Sequence, residues 1–70
     1  KGVIVGVLLK DTGNGTTKLS LRSSDGVNVA QIAAQYGGGG HFNAAGCVID
    51  KPIAGARQEI LRRLTEALNE

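Results

Sequence analysis

Seventy residues suffice for one small domain, and a chain of that size buries only roughly 60% of its unfolded surface. One cysteine and one histidine exclude an internal disulfide and a Cys/His zinc cluster as staples for so small a core. The net charge of +2 is too mild to mark a nucleic-acid protein by itself, and two aromatic residues, Tyr36 and Phe42, exclude a multi-ring platform for a long single strand. No apolar run approaches the roughly 20 residues of a membrane span, and no signal peptide is visible, so no membrane contact is expected. The lone thiol fits a reducing, cytoplasmic setting, and Cys47, beside Gly46, Val48 and Ile49, reads as a buried apolar thiol. The chain enters a strand within three residues, which looks like a domain cut from a longer polypeptide.

Residues 3–10 are almost continuously apolar and β-branched, the pattern of a buried central strand. Asp11-Thr12-Gly13-Asn14-Gly15 has turn composition. Thr17 to Ser23 then alternates, with Leu19 and Leu21 on one side and Lys18, Ser20 and Arg22 on the other, so the two strands form a hairpin. Ser24-Asp25-Gly26 breaks the second strand. Asn28 caps a helix, with Gln31 completing a capping-box-like pair. Val29, Ile32, Ala33 and Tyr36 give that helix one apolar stripe, and Gly37 ends it. Residues 42–45 are expected to form a short helical turn, from which Gly46 releases the chain into the strand Cys47-Val48-Ile49. Pro52 stands at the entrance of a last helix. Its apolar stripe is Ile53, Ala56, Ile60, Leu61, Leu64, Ala67 and Leu68, opposed by Arg57, Arg62, Arg63, Glu66 and Glu70. Arg62 and Arg63 read as part of a solvated face. The element order predicts an α+β domain with helices covering a small mixed β-sheet.

One stretch asks for a special reason. Gly37-Gly38-Gly39-Gly40 is a poor choice for a helix or strand, because each glycine costs about 0.5–1 kcal/mol relative to alanine inside a regular element. Missing Cβ atoms permit positive φ and close approach of another molecule to bare amides. A flexible linker would alternate Gly with Ser and would lack the His41-Phe42-Asn43-Ala44-Ala45 that follows. Such a loop, leading to a helix start and followed by an imidazole, suits an anion such as phosphate.

Arg22 adds a fixed positive charge and a fork of donors matched to phosphate oxygens. His41 adds a donor that strengthens on protonation. Ser20, Ser23 and Asn43 are secondary donors. Taken singly, Arg22 reads equally as a surface strand arginine, His41 as a packing or capping residue, and Asn43 as a cap of the turn at 42–45. Their joint occurrence around four glycines favours a site. No paired carboxylates stand in a metal-ligand arrangement, and Asp11, Asp25 and Asp50 are scattered through turns. The pattern is binding chemistry without cleaving chemistry.

Leu19-Ser20-Leu21-Arg22-Ser23, Val27-Asn28-Val29-Ala30-Gln31-Ile32-Ala33 and Gly37 to His41 with Asn43-Ala44-Ala45-Gly46 resemble the DHHA1 domain, the C-terminal substrate-binding domain of bacterial DHH-family phosphoesterases. The likeness runs through nearly the whole chain, residues 1–70. It is most similar to the branch of oligoribonucleases (nanoRNases) and 3′-phosphoadenosine 5′-phosphate (pAp) phosphatases. The cyclic-di-AMP phosphodiesterase branch shares the glycines and the histidine but usually continues differently at Ala44-Ala45-Gly46.

The resemblance implies a two-domain hydrolase. An N-terminal DHH domain of the same chain, absent here, would hold two metal ions, commonly manganese, while this domain binds no metal and grips the nucleotide. Carried over, Arg22 contacts a substrate phosphate, Gly37 to Gly40 lie against the nucleotide, and His41 reaches the phosphate or assists at the scissile group. Asn43 departs from the Pro or Lys sometimes found nearby. The expected substrate is short RNA or pAp, with cyclic-di-AMP as the alternative and a non-catalytic RNA- or nucleotide-binding module as the alternative of another class. A homodimer is possible within this scheme, and the 70 residues alone are expected to be inactive.

Overall fold

The structure, a computed structural model, describes residues 4–24 and 26–69. Val3, Asp25 and Glu70, which the sequence assigns to a strand start, a chain break and a charged helix face, lie outside the described residues. Six elements follow in chain order: β1 (Val5–Asp11), β2 (Thr17–Ser23), α1 (Val29–Ala34), β3 (Gly39–His41), β4 (Ala44–Ile49) and α2 (Ile53–Leu68). The strands form one sheet in the order β1-β2-β4-β3. The α+β class is as expected. Every neighbouring pair is antiparallel, however, where a mixed sheet is expected. The reason is the connection between β3 and β4, a two-residue turn at Phe42-Asn43, which can join only antiparallel strands.

The sheet has one covered face and one open face. Thr17, Leu19 and Leu21 on β2 and Cys47 and Ile49 on β4 point to the covered side. There they form one cluster with Val27, Val29, Ile32 and Ala33 around α1 and with Ala56, Ile60 and Leu64 of α2. Thr17, the one buried polar side chain among the described residues, donates its hydroxyl to the Lys51 carbonyl at 2.9 Å. That bond fixes the approach to α2 while satisfying a group that would otherwise be costly to bury.

β1 is an edge strand, not the central one expected from its apolar run. Val5, Val7 and Leu9 are half-buried against the cluster, whereas Gly6, Leu8 and Lys10 face out, with Leu8 69% exposed. The hairpin turn is tied by the Thr12 amide donating to the Thr16 carbonyl and by the Gly13 amide donating to Asp11 Oδ1 at 2.8 Å.

Helix α1 is short and capped at both ends. Asn28 Oδ1 accepts from the Gln31 amide at 3.2 Å, the expected N-cap. At the other end the Gly37 amide donates to Ala34 O and the Gly38 amide to Ala33 O, with Gly37 at φ 77°. This crossed pair is the Schellman arrangement, and it requires positive φ at Gly37.

The chain then enters β3, so half of the tetraglycine is strand, against expectation. Proximity to β4 decides this over propensity. A Cβ on Gly38 would overlap the Gly46 carbonyl oxygen and stand 2.8 Å from Cys47 Cα. One on Gly40 would stand 2.6 Å from Ala45 Cα. Residues 42–45 do not form the expected helical turn, because Ala44 and Ala45 already belong to β4.

That two-residue turn is clamped from two sides. The Val29 amide of α1 donates to Phe42 O at 2.9 Å, and the Ser23 amide at the end of β2 donates to Asn43 O at 3.0 Å. In α2, Ala56, Ile60 and Leu64 are buried as the stripe predicts, while Ile53, Leu61 and Leu68 remain exposed.

Gly38→Ala should lose about 1–3 kcal/mol of folding stability, the usual penalty of forcing atoms into a closed space. Urea unfolding would show a lower midpoint at unchanged slope; an unshifted midpoint would contradict the close packing of β3 on β4.

Candidate functional site

On a strand, successive side chains alternate between faces, and the sheet register places the outward ones in rows. His41 of β3 lies opposite Ala44 of β4, Ala44 opposite Arg22 of β2, and Arg22 opposite Gly6 of β1. The next row runs Gly39, Gly46, Ser20 and Leu8. Arg22 and His41 thus stand on the same open face two strands apart, about 10 Å between backbones. Only an alanine lies between them in their row, and two glycines lie beside Ser20 in the next. The result is a shallow floor with cationic or donor side chains standing on it. Arg22 and His41 are exposed, and among the described residues neither side chain makes an ion pair or a hydrogen bond within the domain. Both keep their full donor capacity for a ligand.

The other candidates fall differently. Ser23 lies on the covered-face alternation of β2 and donates its hydroxyl to Val27 O at 2.8 Å. Asn43 Nδ2 donates to Ser23 O and Ser24 O, each at 3.1 Å, so its amide ties the β3–β4 turn to the end of β2. These two side chains serve the fold, and through it the position of His41. The Gly37 and Gly38 amides are taken by the carbonyls of α1, and the segment leads from a helix end into a strand instead of towards a helix start. The helix-start cradle expected from the sequence is therefore not formed. Of the four glycines, Gly39 alone has no structural demand, since a Cβ there would meet nothing within 4 Å and would point onto the open face beside Ser20's row.

Arg62 and Arg63 sit in the helix layer, away from Arg22. Arg62 pairs with Glu66 one turn on, at 3.4 Å. Arg63 Nε donates to the Tyr36 hydroxyl at 3.0 Å, and its guanidinium carbon lies 5.8 Å from the ring centroid. Burial pushes the Tyr36 hydroxyl above its ordinary pKa, with the Arg63 hydrogen bond acting against that shift. Burial likewise pushes the Cys47 thiol up, as suits an apolar thiol and not a nucleophile. A cleft of about 290 Å³ opens on the helix side, lined by Asn28, Gln31, Phe42 and Arg63 among others. It is lined by neither Arg22 nor Ser20 nor His41, the candidate donors of the open face.

Among the described residues no three His, Cys, Asp or Glu side chains come together, so they do not fit a two-metal site. No helix of the described residues is long and apolar enough to cross a membrane. Lys10 escaped the sequence reading, because the run it ends looks uniformly apolar. The period-two alternation of Gly6, Leu8 and Lys10 was the signal that would have placed it on the open face.

The comparisons with known proteins agree on one family. The DHHA1 domain matches residues 1–70. The cyclic-di-AMP phosphodiesterase GdpP of Geobacillus thermodenitrificans is 38% identical over 60 residues, 84% of this chain and 9% of that protein. The bifunctional oligoribonuclease and PAP phosphatase NrnA of Mycoplasma genitalium is 53% identical over 36 residues, 51% of this chain and 11% of that protein. The oligoribonuclease NrnB of Bacillus subtilis is 50% identical over 40 residues, 56% of this chain and 10% of that protein. The chain spans about a tenth of the length of these curated relatives. A match over residues 1–70, with relatives named for cyclic-di-AMP phosphodiesterase, oligoribonuclease and PAP phosphatase activities, places this chain in the DHHA1 domain family of the DHH phosphoesterases.

Proposed function

We propose that this domain is the substrate grip of a DHH-family phosphoesterase acting on very short RNA or 3′-phosphoadenosine 5′-phosphate. The observation that carries the reading is the Arg22–His41 row, two unpaired donors on one open face with a floor of glycine and alanine between and beside them. Arg22 would hold a phosphate through its guanidinium fork, and His41 would reach the same or the neighbouring phosphate from the edge strand. Ser20 would add a hydroxyl donor from the next row, and Gly39 would let the nucleotide approach the backbone.

Cleavage itself would be the work of a DHH domain of the same polypeptide, whose metal ions, commonly manganese, supply an activated water. This chain's residues contribute position and charge. Holding the phosphate in one orientation removes entropy from the reacting complex before the chemical step, and fixed cations favour the charge that develops on the phosphoryl oxygens. A cyclic-di-AMP substrate is the second reading, supported by the 84% of this chain that aligns with the phosphodiesterase GdpP.

An amide NMR titration with a 5′-phosphorylated dinucleotide, repeated with cyclic-di-AMP, tests the site and separates the two substrates. Arg22→Ala and His41→Ala should each weaken binding of the preferred ligand by about 1–3 kcal/mol, the range of a lost charge-assisted hydrogen bond. Unchanged affinity in both variants removes the phosphate site. Gly39→Ala should leave the thermal midpoint in place, since nothing crowds its Cβ, and should weaken ligand binding by closing the floor. Native affinity in that variant would show that the ligand does not touch β3. Finally, the 70 residues should not hydrolyse RNA even with manganese added, and turnover by a clean preparation would overturn the division of labour.

A further inference from the structure

The open face continues past the Arg22 row to a second pair of cations. Lys10 on β1 stands directly opposite Lys18 on β2, and both are exposed and outward-facing. Directly opposed side chains have Cβ atoms roughly 4.5–5.5 Å apart, and like charges in that position destabilise a sheet. Among the described residues no ion pair offsets the two charges. Among the described residues the ion pairs are Lys51–Glu59 and Arg62–Glu66, both involving α2. Of the acids nearest in the chain, Asp11 accepts from the Gly13 amide and Asp50 lies in the bend after β4, and neither is within ion-pair distance of a lysine of this pair. A lysine on an edge strand commonly blocks edge-to-edge pairing, which accounts for Lys10. It does not account for Lys18, which lies on an interior strand.

We propose that Lys10 and Lys18 form a second phosphate subsite, so that the domain takes a short single-stranded RNA laid along β2 and holds a dinucleotide by one end only. The proposal rests on the Arg22–His41 reading and extends it. Arg22 and Lys18 are four residues apart on one strand, about 13 Å. A stacked strand places one phosphate every ~3.4 Å, so that gap spans about four phosphate-to-phosphate steps, and about three in a modestly stretched chain, the number in a 5′-phosphorylated tetranucleotide. On this face apolar surface flanks β2 on both sides, on one side between the two ends and on the other beside the lysine pair. Leu8, 69% exposed, lies across from Ser20, and Val48, 48% exposed, lies across from Lys18. Cations at two ends, with exposed Leu8 between them and exposed Val48 beside the lysine pair, match a ligand of alternating phosphates and flat apolar base faces.

The test is fluorescence anisotropy of this chain with 5′-phosphorylated RNA of two and of four nucleotides, across a salt series. The variants are Lys10→Gln/Lys18→Gln and Arg22→Ala. The lysine double variant should lose about tenfold in affinity for the tetranucleotide at low salt and nothing for the dinucleotide. Its salt dependence for the tetranucleotide should flatten by about 1.4 in the logarithmic slope, two contacts at roughly 0.7 each. Its thermal midpoint should equal or exceed that of the unaltered chain, because a like-charge pair has been removed, and this separates lost contact from lost folding. Equal tetranucleotide affinity in the double variant and the unaltered chain, with Arg22→Ala weakening both RNAs, overturns the second subsite and leaves the first intact. Equal losses for both RNA lengths in the double variant overturn the separation of the two subsites. Binding of neither RNA to the unaltered chain overturns the Arg22–His41 reading and the second subsite with it.

Discussion

Strand β3 and the residue before it lie so close to β4 that side chains at Gly38 and Gly40 would have no room. Gly38 and Gly40 point towards the backbone of Gly46, Cys47, Ala44 and Ala45, and a single added carbon at either would meet main-chain atoms below normal contact distance. The rest of the site follows from that apposition. It makes the β3–β4 connection a two-residue hairpin, brings the Phe42 carbonyl to the α1 amide of Val29, and sets Asn43 against the end of β2. His41 is held between these anchors. Its position depends on a backbone clamp, and among the described residues the imidazole makes no hydrogen bond or ion pair of its own.

The two sheet faces divide the work of the domain. One face supplies stability, with Leu19, Leu21, Cys47 and Ile49 packed under two helices. The other carries almost no bulk near Arg22 and no acidic side chain on its strand positions. A small domain needs its single core, and binding residues placed on the opposite side of the same strands can change without disturbing that core. Arg22 and Leu21 are neighbours in sequence, yet one is exposed and the other fully buried. Strand alternation alone separates the two roles.

Much of this was legible from the residues. The hairpin announced itself through turn chemistry and the alternation of Thr17 to Ser23, α1 through Asn28 and Gly37, and α2 through its stripe. The edge position of β1 was hidden because Leu8, exposed on the open face, is the same residue type as its half-buried neighbour Leu9. The strand character of Gly39-Gly40-His41 was hidden because propensity is a local quantity, and the cause is a neighbour strand that only the fold supplies. Arg22 and His41 could be chosen by chemistry, but their shared row required the register of three strands. The structural use of Ser23 and Asn43 was equally invisible. It arises where two chain segments 20 residues apart meet, and no local pattern reports that meeting.

The direction of the backbone dipoles decides which part of the glycine segment is able to receive an anion. At Gly37 and Gly38 the amides face the last carbonyls of α1, so the donors are occupied and the field at that end of the helix is that of carbonyl oxygens. An anion placed there would compete with two hydrogen bonds that also terminate the helix. On the open face beyond Gly39 the charged groups are side chains, Arg22 above all. Under the proposed function, recognition there would be by point charges in water-exposed positions instead of by a preformed nest of amides. Such contacts are screened by salt, and they release counterions when a polyphosphate replaces them. A grip of this kind is weak towards a single phosphate and gains with each further one the ligand presents. On the proposed reading, the domain would count phosphates more than read bases.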